Sequence, residues 1–400
     1  MCVASQFKNS NLGYYLYAAI VVLIGAASIF VFWFMITGFN IGRYSENTTI
    51  GNISIVGLTE EEAEEKLRTY INNWLEDDLV IFELRYQGYN YTFNRDEIFF
   101  DIERSLDELR DGRTNMLYVQ YSETVLPGLL AEIDAALDEW SPALRQQVDF
   151  DIPRLIEDVL EDASDLKRFS SHQLNRFVPA DQMDNFMQTL HVVSLEAPNR
   201  VHGDPLDLDV LDAKLADHFP NGIAITARSH FSMLEAFDPV FTRAELSYLG
   251  ALMLEIIPHT PFTIHRHHQF MDQVPGEYDT DTYPFYGRNV HVQRSRNLDF
   301  MFENNTHCAF TIAFERVGNA FTITLIGAPF INTIDVDKTI HYFDYPTQTT
   351  TNPDHIRDGV DGVVVTVRRT ITNIYDEVLY DAIILYEVYA PIEAIVLDTD

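Results

Sequence analysis

The apolar run from Tyr14 to Thr37, YYLYAAIVVLIGAASIFVFWFMIT, carries no charge. As a helix rising about 1.5 Å per residue it is roughly 36 Å long, enough to cross a hydrocarbon core of about 30 Å. Tyr14, Tyr15 and Tyr17 stand at one end and Trp33 near the other, where amphipathic rings favour the membrane–water boundary. A cleaved signal peptide has a shorter apolar core, about 7–15 residues, ending at a small-x-small site. The flank Gly38-Phe39-Asn40-Ile41-Gly42 offers no such site. The run therefore reads as an uncleaved anchor over 14–37, behind a cytoplasmic tail over 1–13. Lys8 before the span and Arg43 after it nearly balance, so charge decides little about orientation. A short tail ahead of one large region places the tail inside and the rest outside.

Of the 400 residues, 46% are apolar and 12% aromatic, enough to bury real cores in two or three domains. The formal net charge is −34, and the first acid is Glu46, so the acidity lies wholly beyond the anchor. Such a surface excludes nucleic acid, because phosphate binding needs cations. Only five of the 27 cations are lysines (Lys8, Lys66, Lys167, Lys214 and Lys338), a bias that suits salty or alkaline surroundings, where Arg keeps its charge. Cys2 and Cys308 fall on opposite sides of the membrane in this topology, so no internal disulfide forms. A large exported chain without one fits a Gram-positive type of surface. The N-x-S/T patterns at Asn47, Asn52, Asn90 and Asn304 matter only in a host that glycosylates.

Arg43 to Gly51 reads as a polar linker, short enough to hold the first domain near the bilayer. Asn52–Val56 reads as a strand. Thr59-Glu60-Glu61-Glu62 is a capping box, and the helix it opens should bury Ala63, Leu67, Tyr70, Ile71 and Trp74 at helical spacing. Leu79–Tyr86 and Tyr89–Phe93 form a hairpin around Gln87-Gly88, and Phe99-Phe100-Asp101-Ile102 leads into a short helix ending near Gly112. A strand, then VGLTEEEAEEKL, a hairpin and DEIFFDIERSLDEL is similar to the peptidoglycan-binding-like domain found before VanW domains and some L,D-transpeptidases. That resemblance covers 43–112.

Residues 113–229 are helix-rich and acidic, with amphipathic spacing over Leu126–Trp140 and Ile152–Leu166 and a short helix over Asp207–Phe219. Asp204, Asp207, Asp209 and Asp212 lack the ligand order and the glycine of a calcium-binding loop. They read as a solvated helix start, where the dipole favours acids.

From His230 the texture changes. Thr242 to Glu245 open an apolar helix over about 243–257. HTPFTIHRHHQFMDQVPGEY reads as a strand and loop. Leu298–Phe302, Ala309–Glu315 and Ala320–Ile326 are strands, the last two joined by Val317-Gly318-Asn319. Val360–Thr372 and Val378–Tyr389 pair as a long hairpin, with Val363, Val365 and Val367 on one buried face and Ile392–Leu397 as a third strand. FSMLEAF, PFTIHRHHQFMDQVPGEY and NLDFMFENNTHCAFTIAFERVGNAFTITLIG together resemble the C-terminal part of a VanW domain. Asp299, Phe300, Phe302, Asn304, Asn305, Thr306 and Gly327 carry the match. The resemblance implies a VanW-like domain over 230–345 and a β-hairpin extension over 346–400. The Gly-rich G-G-G-x-C-Q segment of that family is missing, since the chain has no Gly-Gly pair.

The expected fold is thus α+β: a single transmembrane helix, mixed α/β ectodomains and a C-terminal antiparallel β module. His265, Arg266, His267 and His268 form the densest basic spot on an acidic chain, and with Asn304 and Asn305 they are the candidate ligand-binding residues. On a strand His265 and His267 would share one face, where His230, His259 or Asp272 could complete a metal site; without an H-E-x-x-H signature the spacing carries no metal assignment, and a cationic patch for a carboxylate is the better functional reading, set against a purely structural rim of partly buried histidines paired with local acids. His307 and Cys308, adjacent on a strand, would point to opposite faces and so make no nucleophile–base pair, leaving Cys308 a buried structural thiol. Glu245 and Glu255 have no second carboxylate at a glycosidase spacing. No catalytic residue or cofactor motif emerges. The expected partners are the cell membrane and peptidoglycan or its precursors, with oligomeric state left open. The expected role is non-catalytic wall binding; the alternatives are a wall-remodelling enzyme and a structural or sensory ectodomain with a protein partner.

Overall fold

A computed structural model of the chain describes residues 10–38, 42–237, 239–270 and 286–398. Cys2, Lys8, Asp272 and the 271–278 portion of the His-rich motif lie outside the described residues. The fold mixes α and β: one N-terminal apolar helix, then several sheets that are mainly antiparallel. The helix runs Ser10–Gly38, and its segment Tyr14–Phe34 is long and apolar enough to cross a membrane, with its side chains exposed along that length.

The chain divides into two compact units. The first comprises Met1–Leu84, Tyr91–Glu132 and Ile152–His172. Its helix Glu60–Glu76 begins on the expected capping box, where the Thr59 hydroxyl accepts from the Glu62 amide and the Glu62 carboxylate accepts from Thr59. Ala63, Leu67, Ile71 and Trp74 are buried, but Tyr70 is half exposed beneath the Lys66 ammonium. Position 70 lies one residue off the apolar stripe, and an aromatic ring there covers a lysine stem instead of the core. Trp74 packs on Phe82 and edge-on to Phe100, at 5.7 and 5.5 Å between centroids, and its indole N–H donates to the Lys167 carbonyl. The helix Ile152–Ser164 adds Leu155, Ile156, Val159 and Ala163 to the unit's core.

The second unit comprises Arg85–Asn90, Ile133–Asp151 and Gln173–Asp400. Arg85–Asn90 is the tip of the expected hairpin, between strands Ile81–Tyr86 and Tyr89–Thr92. Gln87 and Gly88 both have positive φ, 48° and 97°, the two-residue turn whose twist matches the flanking strands. A four-stranded antiparallel sheet orders Ile223–Ile225, Phe310–Val317, Ala320–Gly327 and Gln188–Glu196. Gly327 lets it close: a Cβ there would stand 2.1 Å from the buried Phe310 ring. The helix Arg243–Ile256, again opened by a capping box, lies against this sheet, and its buried Tyr248 hydroxyl donates to the Leu195 carbonyl.

A second sheet has Met301–Asn304 at its centre, between Ser229–Ser232 and Thr263–Arg266. A third pairs Thr333–Phe343, Gly362–Thr372 and Val378–Tyr389, with Val363, Val365 and Val367 buried on one face as the alternation predicts. The third strand of that sheet is therefore Thr333–Phe343, on the far side of position 345. The expected third strand at 392–397 goes elsewhere: Ala394–Leu397 pairs in parallel with Thr347–Thr350. Parallel pairing needs a long connection, so no local turn signal announces it.

Candidate functional site

The motif residues shared by the Phe231-Ser232 and Asp299–Thr306 segments mostly build the fold. The buried Asp299 carboxylate accepts from the Ser232 hydroxyl at 2.5 Å and from the Leu234 amide at 3.1 Å. Phe300 and Phe302 are fully buried. Asn304 is also fully buried and closes the loop after its strand. Its Nδ2 donates to the carbonyls of Thr226 and Cys308, and its Oδ1 accepts from the Thr306 amide and hydroxyl. That loop, not a strand, carries His307 and Cys308.

The two neighbours still face different surroundings. Cys308 is 2% exposed, and burial pushes its thiol up to about 11. His307 turns to Arg228, whose guanidinium donates to its Nε2 at 2.7 Å. Burial lowers the His307 pKa first, and the charges of Arg228 and Arg85 lower it further, so the ring stays neutral and accepts.

His307 and Arg228 line a cleft. One recess of about 250 Å³ is walled by Gln87, Gly88, Arg228, Asn305, Thr306 and His307 on its polar side and by Pro261, Phe330, Ile334 and Ile371 on its apolar side. An adjoining recess of about 340 Å³ shares Gln87, Gly88, Arg228 and His307 and adds Arg85, Tyr89, Asn90 and Gln173. The hairpin tip that forms one wall is firmly held. The Gln87 amide donates to the Pro329 carbonyl and accepts from the Ile331 amide, and the Tyr89 hydroxyl donates to Asn332 Oδ1. On the other wall, the buried Arg369 donates to the carbonyls of Thr260 and Phe262, which flank Pro261. Arg228, amide donors and an apolar floor in the first recess, beside Arg85 and Arg228 in the adjoining one, suit an anionic ligand with an apolar portion.

Comparison with family models, with curated proteins and with solved structures finds no match to this chain.

Of the six candidate ligand-binding residues named from sequence, only Asn305 lines the cleft; its amide also donates to the Thr263 hydroxyl at 2.7 Å. Asn304 stands behind it as the loop's brace. The four basic residues do not form one patch. His265 and Arg266 are exposed, and His265 pairs with Glu303 at 2.8 Å. His267 lies past the end of its strand and turns inward, where its Nε2 meets the Asn289 carbonyl at 2.8 Å and burial lowers its pKa to about 4. His268 is half-buried, with no hydrogen-bond partner for its Nε2 among the described residues. His265 and His267 therefore share no strand face, because the bulge at His265 and the strand end at Arg266 break the alternation. Arg85, Gln87 and Arg228 were not legible as site residues. They come from segments far apart in sequence, and only the Gln87-Gly88 turn leaves a local signature.

The other acids serve structure. Asp207 caps its helix, Asp204 pairs with Arg243 and Asp209 with Arg316. Glu245 holds Lys214, and Glu255 holds Arg288 and Lys338.

Proposed function

We propose that this chain is a membrane-tethered, extracytoplasmic binding protein, VanW-like over its C-terminal part, that captures a carboxylate of peptidoglycan or of its precursors. The observation that carries this reading is the convergence of Arg85 and Arg228 on one recess, next to a second with an apolar floor, in a chain of net charge −34. Positive charge held in a recess on an acidic molecule focuses the local field, so a ligand anion is drawn to that point and repelled elsewhere. The peptide stem of a wall polymer ends in a carboxylate and carries short apolar side chains, which matches the arginine rim and the floor of Pro261, Phe330, Ile334 and Ile371. The apolar helix ahead of an acidic chain supports a tether with the rest outside, and a tether confines the ligand to what lies next to the membrane. The raised Cys308 thiol supports binding over covalent chemistry, since only a trace of thiolate exists at neutral pH.

The test is co-sedimentation of the full-length protein, in detergent, with purified sacculi. Binding is expected near physiological salt, weakening as salt screens the arginine–carboxylate attraction. The double variant Arg85→Gln/Arg228→Gln should lose it by about tenfold or more. Failure to sediment at both low and high salt ends the wall-binding reading.

A further inference from the structure

We propose that His230, His265 and Glu303 bind a divalent transition-metal ion of the zinc class. Their side chains rise from three adjacent strands on the outer face of one sheet. Glu303 is on the central strand, directly opposite His230 in the register. Phe302, one residue before, points the other way and is fully buried, so the outward direction of Glu303 is fixed by the core behind it. On the other flank, the register shifts between Ile264 and Arg266, and His265 is the extra residue at that bulge. Bulges re-aim side chains, and here the result sets the His265 imidazole against both partners. Its Nε2 lies 2.8 Å from a Glu303 oxygen, and its ring centroid lies 4.8 Å from that of His230.

The donor set fits the ion. One atom from each residue lies within 4.8 Å of the other two. Bonds of about 2.0–2.1 Å at tetrahedral angles separate donor atoms by about 3.3 Å. The His265–Glu303 spacing of 2.8 Å is shorter than that and no pair exceeds 4.8 Å, within what side-chain rotation adjusts to set three donors around one ion. Two imidazoles and a carboxylate are borderline donors that favour zinc-like ions over calcium or magnesium, which take oxygen-only shells. On binding, the proton between His265 Nε2 and Glu303 passes to Nδ1 or to solvent, and that Nε2, one ring nitrogen of His230 and the carboxylate become ligands. Both histidines are exposed and Glu303 is half-buried, so the fourth position faces solvent and takes water or an outside ligand. The chain's net charge of −34 raises the local concentration of any cation. The three residues are distinct from those lining the cleft, and the assignment does not depend on what the cleft binds.

The experiment titrates Zn²⁺ into untagged, chelator-stripped full-length protein in detergent, read by calorimetry, and repeats it with Co²⁺, read by visible absorption. One equivalent of Zn²⁺ should bind, and Co²⁺ should show the intense bands of fewer than six ligands. His265→Ala and His230→Ala should each weaken binding about tenfold or more, and Glu303→Gln, which keeps the side-chain shape, should do the same. His218→Ala, on a separate helix, should leave it unchanged. Circular dichroism matching the native protein shows that each variant is folded. The assignment is overturned if the native protein takes up no equivalent of Zn²⁺, or if folded His265→Ala and Glu303→Gln bind it as tightly as the native chain.

Discussion

Asn304 makes four hydrogen bonds from a position with no exposed surface, and through them it sets the loop that presents Asn305, Thr306 and His307 to the cleft. Removing its amide strands buried carbonyls and an amide. Asn304→Ala should therefore cost about 3 kcal/mol in a urea or thermal unfolding measurement. Asn305→Ala, one position on, should cost less than about 1 kcal/mol, because its part-buried side chain makes one bond, to Thr263, among the described residues. Equal losses would mean that the loop does not depend on Asn304. His202 gives the fold a pH dependence. Its ring is buried and stacked on Phe270 at 3.9 Å, and burial lowers its pKa to about 4, helped by His291 and Arg243 and opposed by Asp204 and by its bond to the Val290 carbonyl. A histidine whose folded pKa is depressed stabilises the fold above its unfolded pKa of about 6.5, and that contribution is lost as pH falls through the folded value. The melting temperature should drop between about pH 6.5 and 4, and His202→Gln should flatten that part of the curve. The residue scale was also the least legible in sequence. The resemblance over Asp299–Thr306 picked out side chains that brace the fold, because a buried polar residue and a ligand-binding one leave the same mark in a single sequence.

Helix starts were legible because their chemistry is local. Both capping boxes formed where Thr59 and Thr242 stand three residues before a glutamate. At the second, Glu245 does more than cap: it is buried and accepts from the Lys214 ammonium through both oxygens at 2.8 Å. Thr242→Ala should cost about 1 kcal/mol, the usual loss of a cap. Glu245→Ala should cost about 3–5 kcal/mol, because it leaves the Lys214 charge without its buried partner. Denaturant titration of the two variants separates a cap from an ion pair; similar losses would show that Lys214 finds water instead. Hairpins were legible for the same reason, as at Gln87-Gly88 and Gly318-Asn319. Pairings between distant strands were not. Nothing near Ala394–Leu397 states that its partner is Thr347–Thr350, and the bulge at His265 has no sequence signature, although it decides which histidines meet.

On the scale of the molecule, the apolar helix and the net charge of −34 constrain the chain more than any single motif. The charge makes a cationic recess informative, since a ligand anion has few other places to bind. The recess itself is assembled from the hairpin tip at 85–90, the turn at Arg228 and the loop at 305–307. Only tertiary structure brings these together, whereas the basic run at 265–268, dense in sequence, exposes His265 and Arg266 and turns His267 inward. The most direct test of the cleft is calorimetry of the full-length protein in detergent with a wall stem peptide, offered with a free C-terminal carboxylate and as its amide. The free acid should bind, and both the amide and the Arg228→Gln variant should bind about tenfold or more weakly. Equal affinity for acid and amide, or an affinity indifferent to Arg228, would contradict carboxylate capture at this cleft.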